Sequence, residues 1–522
     1  MVNVLSGKEA AQLIQSGDMI VFNGFGSLGF PEEMAVAVGQ RFLETGEPRN
    51  LRIFCGAGQG VWDESRMIEH MSHEGMIESV AGSHFTPMIK ICRQIQDNKV
   101  KAYNLPLGVI SHIVRASAGR KPGVLTKIGL KTMVDPRYGG GAQNAISTDK
   151  LVSLMEIDGE EYLFYRSIKP NIALLRGTTA DINGNITMEH EAIFGDPFTS
   201  AMAAKANGGK VIVQVERLSQ EHAVARNVKI PGIIVDAVVV EPGQCQTMIE
   251  KCNLSYIGDC RVPECEVEPI LSQVHELNEQ LGRKRERSEV HTIIARRAAL
   301  QLTHKAVVNL GIGIPELIPR VAKEIGAPED IILTVESGAI GGSPSSGISF
   351  GAAVNPQMIQ DMAYQFDFYD GGGLDFTFVG AMQVDRHGNV NVSRAGNKII
   401  GIGGFVNLTQ SARNVVFCLP FMGGGLKVEY KEGRLRILQE GRQQKFFAAV
   451  EEISANGEYA CSRGQKVLYV TERCVFDLTC DGLRLIEIAP GISLEQDILQ
   501  KLPFRPLVAD DLKIMDLRVF SQ

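Results

Sequence analysis

Val307-Val308-Asn309-Leu310-Gly311-Ile312-Gly313-Ile314-Pro315-Glu316 carries the pattern from which the architecture of the chain follows. A short apolar run bounded by glycine is a buried strand. The Gly-x-Gly that follows is a tight turn, and Pro-Glu opens a helix. An earlier stretch has the same form. Met19-Ile20-Val21-Phe22 runs into Gly24-Phe25-Gly26-Ser27-Leu28-Gly29-Phe30-Pro31-Glu32. Each copy is preceded by a helix, one opened by the capping box Ser6-Gly7-Lys8-Glu9 and one spanning about Val290 to Leu302. Each is followed by a helix and a second strand. Those strands end in Cys55-Gly56-Ala57-Gly58 and in Val335-Glu336-Ser337-Gly338.

A second pair extends the repeat. Asp181-Ile182-Asn183-Gly184-Asn185 recurs as Asp385-Arg386-His387-Gly388-Asn389, and Lys210-Val211-Ile212-Val213 as Asn414-Val415-Val416-Phe417, both 204 residues later. The chain is therefore expected to be α/β, a tandem of two related open-sheet domains with mostly parallel sheets. The expected boundaries are 1–275, a linker at 276–289, and 290–522. The first half carries about 110 residues (Gly60 to Lys169) where the second has about 33 (Gly342 to Leu374). Strands at Lys466 to Thr471, Val475 to Thr479 and Leu483 to Ile488, with a hairpin turn at Asp481-Gly482, predict β-rich additions at the C-terminus.

Composition narrows the function. The 522 residues suggest two to four domains, and the repeat reduces this to two. The net charge of -7 and the short, acid-interrupted run Arg283-Lys284-Arg285-Glu286-Arg287 argue against nucleic acid. No apolar run is long enough to cross a bilayer. No secretory signal is visible, so a cytoplasmic protein is expected. The 10 cysteines lack paired C-x-x-C spacing, which predicts reduced thiols and no metal. Glu189-His190-Glu191 is also expected not to bind metal, since neighbours on a strand face opposite ways. Glycine is in excess, 55 residues, and excess glycine in a mixed sequence marks turns and close approach to ligands.

Gly24 to Gly29 matches G-x-G-x-x-G after a strand, the dinucleotide fingerprint. No acid ends the next strand to hold a ribose, and the second copy lacks the third glycine. Glu336 is the sharper feature. It ends an apolar strand, where ligands gather in open α/β sheets, and is followed by small residues. The matching strand end in the first half has no acid. Gly401-Ile402-Gly403-Gly404-Phe405 has the consecutive glycines of an oxyanion hole or, equally, of a flexible turn between strands, and Gly423-Gly424-Gly425-Leu426-Lys427 sets a lysine after a glycine run, either to meet a phosphate or simply to stand exposed. No G-x-S-x-G elbow is present.

Together, GFGSLGFPE (24–32), NLGIGIP (309–315), VESG (335–338) and GIGGF (401–405) resemble the family I coenzyme A transferases, over essentially the whole chain. The halves resemble the α and β subunits that are separate in some members and fused in others. The likeness is to the fused short-chain acyl-CoA type, the acetate or propionate CoA-transferases. Ser337 stands where the family more often has Asn. The resemblance implies Glu336 as nucleophile and the amides of Gly403 and Gly404 as the oxyanion hole. It implies Gly311, Ile312, Gly313, Ile314 and Pro315, with Lys427, as the coenzyme A site. Gly24, Phe25, Gly26 and Ser27 are expected to shape the acid pocket across the domain interface. The implied reaction moves coenzyme A from an acyl-CoA to a short-chain carboxylic acid by a ping-pong route through a glutamyl-CoA thioester. No tightly bound cofactor and no metal are expected, and a homo-oligomer, dimer or tetramer, is. The rival readings are an acyl-CoA hydrolase on the same scaffold, a nicotinamide-dependent oxidoreductase and a non-catalytic acyl-CoA sensor.

Overall fold

The structure, a computed structural model, describes residues 3–247, 250–280 and 288–520. In the first half, β1 (Met19–Val21), β2 (Leu51–Phe54), β3 (Ile172–Arg176), β4 (Lys210–Val215) and β5 (Ala237–Val240) lie in the order β5-β4-β3-β1-β2. In the second, β6 (Val307–Leu310), β7 (Ile332–Thr334), β8 (Phe376–Gly380), β9 (Asn414–Cys418) and β10 (Lys466–Val470) lie in the order β10-β9-β8-β6-β7. The two orders are the same, and every pairing within them is parallel. The chain is thus α/β, with the expected duplicated open sheet.

The additions differ. Parallel strands Ile77–Gly82 and Lys101–Asn104 continue the first sheet beyond β2, and Val4–Leu5 continues it beyond β5, giving eight strands. The second sheet continues beyond β10 through Cys474–Thr479, Gly482–Ile488 and Leu507–Ile514, and beyond β7 through the short antiparallel strands Ala339–Ile340 and Met358–Ile359, reaching ten. This is the expected β-rich tail, with Thr479 paired to Gly482 across the turn.

Burial explains the strands. All five residues of β3 are buried. Ile172 and Leu174 enter the core on one face of the sheet, Ala173 and Leu175 the core on the other. A strand covered on both faces has no polar side, so it reads as a continuous apolar run. The repeated hairpins match atom for atom. Asp181 Oδ1 accepts the amides of Asn183 and Asn185, and Asp385 Oδ1 accepts those of His387 and Asn389.

The halves interleave. Phe25, Leu28, Ala57 and Leu107 are buried in the core of the second half, while Ile399, Ile402 and Val406 are buried in those of the first. The helix Leu107–Ala118 packs on Met362–Asp370, where Arg115 makes a bidentate pair with Asp367 at 2.8 and 3.1 Å. The helix Glu264–Gln280 runs into the linker expected at 276–289, and Val267 joins the second-half core. Residues 281–287 of that linker, with the basic run 283–287, lie outside the described residues.

One expectation fails. Cys461 and Cys480 form a disulfide, so not all thiols are reduced. The helix Gly457–Ser462 and the turn after Cys474–Thr479 bring together two residues that sequence spacing leaves unrelated. Cys245, Cys252, Cys260 and Cys265 are free, as expected. Among the described residues, no helix is long and apolar enough to cross a membrane.

The docking of the halves is testable at Gly108. A Cβ there would sit 2.4 Å from Cδ1 of the buried Phe366 and 2.7 Å from Asn407 Nδ2. Helix propensity alone favours alanine by about 0.5–1 kcal/mol, and overpacking costs about 1–3 kcal/mol. Gly108→Ala is therefore expected to lower stability in denaturant unfolding. A stabilised variant would refute this docking.

Candidate functional site

Glu336 is positioned by a tight turn. β7 ends at Thr334, Val335 N donates to Ala339 O (2.8 Å), and Gly338 N donates to Val335 O (3.0 Å). The reversal needs the positive φ of Gly338, +120°, and close approach, since a Cβ there would lie 2.0 Å from Gln360 O. Ser337 is fully buried, and its hydroxyl donates to Gly351 O. Ser337 thereby pins the turn to the segment 347–351. Glu336 thus stands at the carboxyl edge of the second sheet, where the loops after β6, β8 and β9 also emerge.

Its carboxylate meets Gly404. A Cβ on Gly404 would lie 2.7 Å from Glu336 Cδ and Oε2, so only glycine fits. The Gly404 amide donates to the carboxylate. Burial raises the Glu336 carboxyl to about 7, opposed by that amide. Behind it, Asn309 Nδ2 donates to Thr334 O at 3.3 Å, and burial pushes the Tyr369 phenol far up, so that face stays neutral.

The segment carrying Gly404 is held by the first half. Ile402 N donates to Asn104 Oδ1 (3.0 Å), Gly403 N to Ser83 O (2.7 Å), and Leu107 N to Gly403 O (3.0 Å). Asn104 Nδ2 donates to Gly82 O and Ser83 O, at 3.0 and 2.7 Å. The two glycines expected as oxyanion donors are placed differently: the Gly403 amide donates to Ser83 O. Gly404 alone of the two donates to Glu336. Asn104 and Ser83 were missed by the sequence reading. The available signal was that Asn104 ends a strand at the carboxyl edge, in Asn104-Leu105-Pro106.

The first-half loop comes to the same place. Phe25 and Leu28 exchange both backbone hydrogen bonds (2.9 and 3.0 Å), closing a two-residue turn with Gly26 at φ +58°. The Ser27 hydroxyl donates to Ile348 O, and the rings of Phe25 and Phe350 lie 5.8 Å apart. Gly24 leaves room for buried Gln59, whose Oε1 lies 2.4 Å from where its Cβ would be. The side chains of Phe25 and Ser27 are therefore taken up in packing against the segment that holds Ser337, rather than free to line a pocket. The open point of the loop is Gly26, where an added Cβ would have Phe350 O, at 4.0 Å, as its neighbour.

In the second half, Gly311 N donates to Phe378 O (2.7 Å), Gly313 takes φ +102°, and Ile312 is exposed. A Cβ at Gly313 or at Gly380 would meet nothing within 4 Å, so the ends of β6 and β8 border open space. Lys427 is exposed at the start of the strand Lys427–Lys431. Among the described residues, no group of three or more His, Cys, Asp or Glu is arranged to hold a metal ion. Glu189 pairs with Arg217, His190 with Glu216 and Glu191 with Arg176.

The family model for coenzyme A transferase matches residues 4–241 and 291–419. The caffeate CoA-transferase of Acetobacterium woodii is 41% identical, covering 100% of this chain and 98% of its own. The acetate CoA-transferase YdiF of Escherichia coli K12 is 39% identical, covering 99% and 95%. The crystal structure of the acyl-CoA transferase YdiF apoenzyme from E. coli O157:H7 superposes with a TM-score of 0.91 at 38% identity, covering 100% and 96%. A thioester complex of that protein with CoA gives 0.89 at 37%, with the same coverage.

Two substitutions test the site. Gly404→Ala would push its methyl group into the Glu336 carboxylate while leaving an ordinary φ of -85°. It is expected to lower kcat by at least ~10²-fold, as for loss of one oxyanion donor, with Tm little changed. Asn104→Ala removes three hydrogen bonds under the same segment. It is expected to cost about 1–3 kcal/mol and to lower kcat as well. Wild-type turnover in either variant would show that the segment does not serve Glu336.

Proposed function

The chain belongs to the coenzyme A transferase family, and we propose that it moves coenzyme A from a short-chain acyl-CoA to a free carboxylic acid such as acetate, through a covalent intermediate on Glu336. The observation that carries this reading is a half-buried carboxylate, raised to about 7 and touched by one backbone amide, at the carboxyl edge of a sheet between two halves. A carboxylate is the same kind of group as the acceptor acid. It can therefore exchange with a thioester without giving the acyl group to water.

A Glu336 oxygen attacks the acyl-CoA carbonyl, the C–S bond breaks, and a mixed anhydride and CoA thiolate result. The thiolate attacks the Glu336 carbonyl carbon, the anhydride C–O bond breaks, and the first acid leaves as its carboxylate. Glu336 is then a thioester of CoA. The second acid reverses the sequence and regenerates the free carboxylate. This is ping-pong covalent catalysis. In the second attack negative charge develops on the Glu336 oxygen itself. The Gly404 amide already donates to that carboxylate, so it needs little reorganisation to stabilise the charge. The thioester complex of the E. coli relative supports the covalent route. That relative is named for acetate and the A. woodii relative for caffeate. The small-acid reading rests on the glycine loop Gly24 to Gly29, whose open point is Gly26.

Intact-protein mass spectrometry after mixing with propionyl-CoA is expected to give a CoA-sized adduct on Glu336. Its formation in Glu336→Ala would overturn the mechanism. CoA release as fast without an acceptor acid as with it would make the enzyme a hydrolase. Because the nucleophile is the ionised form, kcat/KM for acyl-CoA is expected to rise with pH to a plateau, with its midpoint at about 7.

Stability should move the opposite way. The folded-state value lies above the ordinary 4.5, so folding favours the protonated acid. The penalty for ionising Glu336 is absent below about 4.5 and complete above about 7. Glu336→Gln is expected to be more stable than wild type at pH 8, by up to ~3 kcal/mol, with the difference closing by pH 4. A constant difference across that range would refute the assignment.

A further inference from the structure

Lys445 is a partly buried cation that pairs with no acid among the described residues. Its backbone carbonyl accepts Val384 N at 2.8 Å, fixing it beside the loop after β8. Its stem lies on Gly423 in the loop after β9, where a Cβ would come 3.0 Å from Lys445 Cε. Among the described residues, nothing hydrogen-bonds or pairs with its ammonium. Burial lowers its pKa, and no acid opposes the shift. Glu440 and Glu472, on neighbouring segments, are both held by Arg473, at 2.8 and 2.6 Å. Holding a cation in a low-dielectric place without a partner is unfavourable. An anion arriving there is bound more strongly than at an exposed lysine such as Lys427.

The fold says how such an anion relates to Glu336. Gly423 follows β9, Val384 follows β8, the loop 311–315 follows β6 and Glu336 follows β7. These strands are neighbours in the order β9-β8-β6-β7 and are parallel, so all four loops leave the same edge. The ends of β9 and β7 are three strand spacings apart, about 14 Å. Between them lie Gly380 and Gly313, both without neighbours at the Cβ position, and the exposed Ile312. An extended, mostly apolar arm fits this track, with an anion at one end and a thioester at the other.

We propose that Lys445 receives a phosphate of the acyl-CoA nucleotide while the pantetheine arm crosses the ends of β8 and β6 to bring its thioester to Glu336. The inference rests on the transferase reading. It moves the nucleotide-end cation from Lys427 to Lys445.

The test compares two donors, propionyl-CoA and propionyl-pantetheine, with acetate as acceptor. If wild-type enzyme does not transfer from propionyl-CoA at all, the transferase reading fails, whatever Lys445 does. With transfer established, Lys445→Met is expected to raise KM for propionyl-CoA about 10- to 100-fold, the loss of one charge-assisted hydrogen bond. The kcat and the KM for acetate should stay near wild type. Propionyl-pantetheine has no phosphate, so wild type and Lys445→Met should turn it over equally. Lys445→Arg should keep most of the affinity. Calorimetry gives a second readout, since adenosine 3′,5′-bisphosphate should bind wild type and Lys445→Arg but not Lys445→Met. The proposal is overturned by an equal loss on both donors, by a rise in the acetate KM alone, or by an unchanged propionyl-CoA KM. If Lys445→Met melts early, Lys445→Arg and Lys445→Gln carry the same comparison, and equal nucleotide binding by those two refutes it.

Discussion

One hydrogen bond, from the Gly404 amide to the Glu336 carboxylate, is the contact on which the arrangement depends. Both residues belong to the second half, yet neither is held by the second half alone. Gly404 is fixed through Asn104, Ser83 and Leu107 of the first. Glu336 is fixed through Ser337 and the segment 347–351, against which Phe25 and Ser27 pack. The acid and its donor meet only when the two sheets are docked. The glycines at 338 and 404 allow that meeting, since a methyl group at either would collide with backbone or with the acid itself.

The environment of Glu336 balances two needs. An exposed carboxylate would be a weak, hydrated nucleophile and would leave its anhydride open to water. A fully dry one with no donor would stay protonated. A single amide in a buried setting holds the group near neutrality, where both forms are accessible. Among the described residues no cation pairs with it, so the charge that moves during the reaction is not fixed in a salt bridge.

Much of this was legible in the sequence because the chain contains two readings of one pattern. The run Val307 to Glu316 and its counterpart Met19 to Glu32 specify strand, turn and helix locally, by burial and turn chemistry. The repeated strand order follows from them. Glu336 stood out because only one copy carries an acid. The rest depends on contacts between residues hundreds of positions apart. Nothing local in Gly403 says that its amide will meet Ser83 O, and nothing near Phe25 says that its ring will be buried against Phe350. The Cys461–Cys480 pairing was missed for the same reason, being set by how a helix meets a hairpin turn. Lys445 sits in an unremarkable polar stretch, Gln443-Gln444-Lys445, and its isolation becomes visible only once the surrounding acids are found on Arg473.

The interleaving of the halves also bears on the order in which the molecule matures. Asn104 and Ile402 are 298 residues apart in sequence, and Gly108 and Asn407 299. Contacts of such separation require closure of long chain loops, so they form late. Each sheet can gather from nearer segments before they exist. A newly made chain would then pass through a stage with two sheets and no assembled centre, its acid lacking the amide and its glycine segment lacking the first-half strand ends. Reactivity toward thioesters is then a property of the docked molecule, since neither half alone holds both the acid and the strand ends that fix its glycine segment.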